Sequence, residues 1–187
     1  MLRNFKPSII SLIRNNWNLT VLNRKELPPG YILCGRLSQG DAETVGHQYS
    51  AWGVAPSDTI RYFQACSTRL PSSGIHTANG ELVSYVVLHH TSAFGSVVTD
   101  PWHQRKGLGA AVVADICQKM VKDKQTPYVF VNPENVASAR LYAKCGFEFQ
   151  AVAYRIRYTP KSWTMLFVKL AHCLVVSGEN YWWGPRT

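Results

Sequence analysis

From Gly107 to Lys122 two apolar rows run at helical spacing. Leu108, Val112, Ile116 and Met120 recur every four residues, with Gly109, Val113, Cys117 and Val121 beside them. Asp115, Gln118, Lys119 and Lys122 fall on the opposite side. A stripe this wide belongs to a helix lying on a sheet. The runs "AFGSVVT" before it and "PYVFV" after it read as strands, so the centre of the chain is a strand–loop–helix–strand unit.

The flanks extend this pattern. "YILCGRLS" reads as a strand and "QGDAETVGHQYS" as a short helix with Ala42, Val45 and Tyr49 on one side. Ser57 is placed to cap a second helix, in which Ile60, Phe63, Ser67 and Leu70 share a face. Asn79-Gly80 between "SGIHTA" and "LVSYVVL" signals a hairpin. A further helix starts near Glu134 and ends at Gly146, and "FQAVAYRIRY" alternates as a strand. The order β, α, α, β-hairpin, β, α, β, α, β predicts a mixed α/β domain on one central sheet.

"LPPG" (27–30) separates this domain from what precedes it. The organisation read here is a basic amphipathic extension over 1–26, a domain over 27–163, and a tail over 164–187 that holds one more strand or none. In the extension, Leu2, Phe5, Ile9, Leu12, Ile13 and Trp17 fall near one helical face, with five cations and no acid before Glu26. Two readings are open for it: a mitochondrial transit peptide, or a basic surface helix. The localisation expected is accordingly mitochondrial or cytoplasmic.

The net charge of +9 points to anionic partners. The cations are scattered, without the clusters or spacings of nucleic-acid modules, so a phosphate-bearing small molecule fits at least as well as a polymer. The five cysteines are odd in number and far apart, with no zinc-site spacing, and read as free thiols; no metal is expected. No apolar run is long enough to span a membrane.

The helix that opens at Gly107 has a further property. Its first N–H groups lack partners and its dipole is positive there, which makes an anion site. Gly107 and Gly109 would let an anion approach the backbone, and Arg105 and Lys106 add charge. A P-loop is excluded because Gly-x-x-x-x-Gly-Lys is absent, and a dinucleotide fingerprint because Val112 stands where its third glycine belongs. What remains is Gln104-x-x-Gly107-x-Gly109. Downstream, "NVASARLYAKCGF" sets Asn135, Ser138 and Tyr142 on one helical face, with Ala137, Leu141 and Cys145 as the adjacent core row.

These two motifs together resemble the GNAT superfamily of acyl-CoA-dependent N-acyltransferases. The segment from about Gly80 to Phe149 carries the resemblance, and "YVVLHHTSAFGSVVTDP" and "YRIRYTPKSW" are similar to the C-terminal half of glycine N-acyltransferases. The resemblance implies a mixed central sheet whose central strands splay apart, flanked by helices. It implies acetyl-CoA or another acyl-CoA as cosubstrate and an amine such as glycine as acceptor. Backbone groups of Val97, Val98 and Thr99 would hold the pantetheine arm. N–H groups from Gln104 through Arg105, Lys106, Gly107, Leu108 and Gly109 to Ala110 would hold the pyrophosphate. Asn135 would touch the cofactor, and Tyr142 would protonate the leaving thiolate. The family's glutamate base aligns with Ala93; His89, His90, His103 and Asp100 stand nearby. Alternatives are a protein or polyamine N-acetyltransferase, or a non-catalytic acyl-CoA-binding chain. Nucleic-acid binding rests on charge alone.

Overall fold

The computed structural model describes residues 6–12, 26–50 and 56–155. Its strands are β1 (Lys6–Leu12), β2 (Tyr31–Cys34), β3 (Ser72–Thr77), β4 (Leu82–Leu88), β5 (Phe94–Thr99), β6 (Tyr128–Val131) and β7 (Glu148–Arg155). Its helices are α1 (Gln39–Ser50), α2 (Pro56–Arg69), α3 (Leu108–Lys122) and α4 (Val136–Lys144). One seven-stranded sheet runs β2-β3-β4-β5-β6-β1-β7, antiparallel throughout except between β5 and β6. The mixed α/β fold expected from the element order is the fold observed.

Local signals set most of these elements. Ser38 and Asp41 cap α1 reciprocally: the Ser38 N–H donates to Asp41 Oδ2 at 2.8 Å, and the Asp41 N–H donates to Ser38 Oγ at 3.1 Å. The β3–β4 hairpin turns at Gly80 with φ +84, a backbone only glycine adopts without strain. Gly146 (φ +81) stops α4 in the same way. Ser57 does not cap α2; the helix begins at Pro56, whose fixed φ suits a first helical position.

Two cores form on the sheet. Tyr85 and Val87 of β4 pack with Ala42, Val45, Phe63 and Cys66 of α1 and α2. Val86 and Leu88 pack with Leu108, Val112, Ile116 and Met120 of α3 and with Tyr142 and Cys145 of α4. Both apolar rows of α3 predicted from spacing are therefore buried, apart from Gly109 and Val121, which are half-buried.

The N-terminal segment departs from expectation. Lys6–Leu12 is a strand, not one side of a helix, and it lies inside the sheet. Ile9 pairs with Val131 on one side and with Val152 on the other. The adjacent β-branched Ile9 and Ile10 suit a strand with neighbours on both sides, and that long-range pairing overrides the helical periodicity. The tail over 164–187 lies outside the described residues. Among the described residues no helix is long and apolar enough to cross a membrane.

Deleting residues 1–12 should leave β6 and β7 without the strand between them. Urea unfolding followed by tryptophan fluorescence should show the midpoint falling sharply or the cooperative transition disappearing. An unchanged midpoint would mean that β1 adds nothing to the sheet.

Candidate active site

β5 and β6 are parallel neighbours with a single register pair, Phe94 with Val129. Beyond it the described residues show no pairing between them. β5 is also distorted on its other side. Tyr85 pairs with Val98 and Val87 with Gly95, so three steps on β5 face two on β4. Ser96 absorbs the extra residue with φ +55. The side chains of Val97 and Val98 go to the two different cores, while Val98 pairs with Tyr85 on the β4 side. The splayed central strands expected from the resemblance are thus present as a pair joined only at its base.

The loop after β5 closes onto α3. Asp100 caps a single 3-10 turn over Pro101–His103, accepting from the Trp102 N–H at 2.9 Å. Gln104 Nε2 donates to the Thr99 carbonyl at 3.1 Å, tying the loop to the end of β5. Thr99 Oγ1 lies 2.9 Å from Ser84 Oγ, so that side chain also serves the sheet. Gly107, at φ +83, is the N-cap of α3 and offers no side-chain cap. The first intrahelical bond shown there runs from the Ala111 N–H to the Gly107 carbonyl at 3.0 Å. The N–H groups of Leu108, Gly109 and Ala110 therefore have no carbonyl within the helix to bond. They face the end of β5, with the positive helix dipole behind them.

The two glycines have different jobs. A Cβ on Gly107 would meet nothing within 4 Å, so this residue is needed for its left-handed backbone. A Cβ on Gly109 would come within 3.2 Å of Thr99 Oγ1 and 3.6 Å of Leu141 Cδ2. Gly109 thus lets α3 sit close to β5 and α4, in keeping with its place in the packing row read from spacing.

The cations also separate. Arg105 is exposed, with φ +60. Lys106 Nζ donates to Tyr31 Oη at 2.7 Å and lies 5.3 Å from that ring's centroid, while Tyr31 Oη is 2.8 Å from His103 Nδ1. Lys106 and His103 therefore fasten the loop to β2. Tyr31 carries no local signal for this role, because it lies 75 residues away from Lys106 in sequence.

On α4, Asn135 is the N-cap: its Oδ1 accepts the Ser138 N–H at 3.0 Å. Its side-chain oxygen is thus engaged in the helix. Tyr142 and Cys145 are buried, Ser138 and Leu141 half-buried and Ala137 exposed, so the inward face is Ser138–Leu141–Tyr142–Cys145 and not the core row read from spacing. Tyr142 packs edge-on to Phe94 and Phe147, with centroids 5.9 and 5.5 Å away. Phe94 is the residue where β5 and β6 still pair, so the Tyr142 ring lies at the base of the gap. Burial raises the Tyr142 hydroxyl well above its ordinary pKa, and Tyr49, Cys145 and Cys117 add to the rise.

Ala93, where the resemblance sets a glutamate, is 2% exposed in the turn between β4 and β5. Its carbonyl accepts the His89 N–H at 2.9 Å. The His89 imidazole reaches from there to the bulge: Nε2 is 3.1 Å from Ser96 Oγ and Nδ1 is 2.8 Å from Tyr62 Oη. Tyr62 Oη is also 3.2 Å from His90 Nδ1. A Cβ on Gly95 would come within 3.2 Å of His89 Nε2, so the bare glycine makes room for the ring. The pairing of His89 with Ser96 and Tyr62 was not legible beyond the paired histidines themselves. Among the described residues no group of His, Cys, Asp and Glu side chains could hold a metal ion.

Residues 72–156 match the family model described as FR47-like protein. No curated protein matches the chain. Among solved structures, a Drosophila protein shares the fold with a TM-score of 0.72 at 20% identity, over 85% of this chain and 52% of its own. A GCN5-related N-acetyltransferase-like protein from Streptococcus suis gives 0.59 at 18% identity, over 82% of this chain and 62% of its own. A GCN5-related N-acetyltransferase from Sphaerobacter thermophilus gives 0.61 at 15% identity, over 83% and 51%. The chain thus spans about half to somewhat under two thirds of the length of the structures it resembles, and at these identities what is shared is the fold.

Gly107→Ala should cost about 1–2 kcal/mol through its left-handed backbone, and Gly109→Val about 1–3 kcal/mol through crowding against Thr99 and Leu141. Both losses should be seen in urea melts with no ligand present. An unchanged midpoint for Gly109→Val would contradict the close packing of α3 on β5.

Proposed function

We propose that this chain, whose fold is that of the GCN5-related N-acetyltransferases, is an acyl-CoA-dependent N-acyltransferase of the GNAT superfamily. The observation that carries the reading is the β5–β6 pair, joined at Phe94–Val129 and unpaired beyond, with the uncapped N-terminus of α3 at its open end. An extended pantetheine arm fits along the β6-facing side of β5 at Val97, Val98 and Thr99, where no register pair joins the two strands. The pyrophosphate fits the N–H groups of Leu108, Gly109 and Ala110, with Arg105 as the exposed cation beside them. Gln104 and Lys106 shape this loop from behind, and Asn135 fixes the start of α4.

In the reaction a neutral amine attacks the thioester carbonyl, a C–N bond forms, the C–S bond breaks, and the thiolate leaves. The amine's surplus proton needs a base and the thiolate an acid. We assign the base to His89. In the tautomer that donates from Nδ1 to Tyr62 Oη, His89 Nε2 is an acceptor toward Ser96 Oγ. His89 stands one hydrogen bond across the turn from Ala93, so an imidazole takes up the task that the family gives to a carboxylate. Tyr142 supplies the acid. Its raised pKa keeps the hydroxyl protonated, and the proton would be lost only at a higher pH than for an ordinary tyrosine. Activity should therefore persist into the alkaline range. Glycine is one candidate acceptor, with polyamines and protein amines as the others.

A second reading, acyl-CoA binding without transfer, draws on the buried Ala93 in place of a carboxylate. Release of free CoA from acetyl-CoA and benzoyl-CoA across glycine, polyamine and peptide amines separates the two. Transfer predicts amine-dependent release; binding by calorimetry with no release on any amine would favour the second reading.

For an active chain, His89→Gln and Tyr142→Phe should each lower kcat by about 100-fold or more, with little change in acyl-CoA affinity. A loss of about twofold, too small for an acid or a base, would remove that residue from the mechanism. Arg105→Ala should weaken acyl-CoA binding more at low salt than at high salt, because its exposed charge is screened. A salt-independent loss would show that Arg105 acts by packing.

A further inference from the structure

At the edge of the sheet, outside the β5–β6 gap, three elements bring together a second set of reactive groups. Cys34 ends β2, His76 lies on β3, and Asp41 sits in the first turn of α1. Cys34 pairs with Gly74 and Ile32 with His76, so Cys34 and His76 are diagonal neighbours on one face of the antiparallel pair. His76 Nδ1 is 3.1 Å from Cys34 Sγ, and His76 Nε2 is 2.8 Å from Asp41 Oδ1. Gly74 keeps the space open: a Cβ there would come within 2.7 Å of Leu37 Cδ2 and 3.8 Å of His76 Cε1.

The hydrogen bonds fix the roles within this set. Ser38 holds the other Asp41 oxygen, its N–H and its Oγ–H both donating to Oδ2 at 2.8 Å. Burial alone would raise the Asp41 carboxyl; the bonds from His76 and Ser38 outweigh it and hold the carboxyl below its ordinary value. An ionised carboxylate only accepts, so His76 Nε2 carries the hydrogen facing it. Nδ1 of the neutral ring is then an acceptor, and the Cys34 thiol donates to it. Cys34 is half-buried, whereas Cys66, Cys117 and Cys145 are buried. A nucleophile, a base and a group that orients the base thus stand in line, and of the described cysteines Cys34 is the least buried.

We propose that Cys34 is an acyl-accepting nucleophile for thioesters, with His76 as its base and Asp41 as the residue that orients His76. Cys34 Sγ attacks the thioester carbonyl as His76 Nδ1 takes the thiol proton. The new C–S bond to Cys34 forms, the C–S bond to the departing thiol breaks, and His76 returns the proton to the leaving thiolate. Electrons and atoms balance without an oxidant. The choice of a thioester as donor rests on the proposed use of acyl-CoA; the arrangement of Cys34, His76 and Asp41 does not.

The test exposes the full chain to acetyl-CoA and, separately, to S-acetyl-N-acetylcysteamine, a thioester with no nucleotide. Acid quench and peptide mass mapping then read the site of acylation. Acetyl should appear on Cys34 from both donors, while Cys66, Cys117 and Cys145 stay unmodified in the folded protein. His76→Gln should slow Cys34 acylation at least tenfold, and Asp41→Asn should slow it less, with iodoacetamide labelling of Cys34 following the same order. Folding of each variant is checked by its urea midpoint; where one variant unfolds, the Cys34 rate in the native chain is set against free N-acetylcysteine at the same pH. A Cys34 that reacts no faster than that free thiol, or as fast in folded His76→Gln as in the native chain, would overturn the proposal. Acylation of Cys34 without acylation of any amine would uphold this site and count against the proposed activity, and the reverse result would do the opposite.

Discussion

The sheet depends on one imperfect junction, the parallel contact of β5 with β6. Every other neighbouring pair is antiparallel and shares several register positions, but this one holds only at Phe94 and Val129. Two strands that leave each other so soon forgo ladder hydrogen bonds, which is tolerable only where other contacts hold the base of the gap. Here the aromatic group of Phe94, Tyr142 and Phe147 packs edge-to-face at that base. The bulge at Ser96 lies in β5, and α3 follows β5 closely enough that a Cβ on Gly109 would crowd Thr99 and Leu141. Gap, bulge and open helix end therefore belong to a single arrangement, which suits a long, phosphate-bearing, thioester-linked molecule lying along β5.

The same arrangement gives several residues of the two motifs partners inside the protein. Gln104, Lys106 and Asn135 carry polar or charged side chains at the motif positions, yet each has its bond inside the protein, to Thr99, Tyr31 and Ser138. They hold the loop and the α4 start in place, and under the proposed function the binding falls to backbone N–H groups. A backbone cradle is rigid because its donors are fixed by the helix, and it gains from side chains that fasten the loop around it.

Much of this was legible in the sequence because its causes are local. The bounds of α1, the Gly80 hairpin, the buried rows of α3 and the stop at Gly146 follow from capping, turn chemistry and periodicity within a few residues. What escaped depends on distant partners. β1 shares its apolar pattern with a helix, and its strand state comes from pairing with Val129 and Val131 of β6 and with β7, over a hundred residues further on. Lys106 reads as a phosphate cation until Tyr31 is found beneath it. His89 is only one of four candidates near Ala93 until Ser96 and Tyr62 are brought to its two nitrogens. Cys34, His76 and Asp41 lie on three elements, and no spacing in the sequence joins them.

Under the proposed function, acyl-CoA lies in the β5–β6 gap with its phosphates on the α3 N-terminus. Amide hydrogen exchange with and without acetyl-CoA tests it most directly, because the claim concerns backbone N–H groups. Bound acetyl-CoA should slow exchange at 97–99 and 108–110, with β2 and β3 unchanged. Saturating acetyl-CoA that leaves those amides as they were, or protects a different part of the chain, would contradict the account.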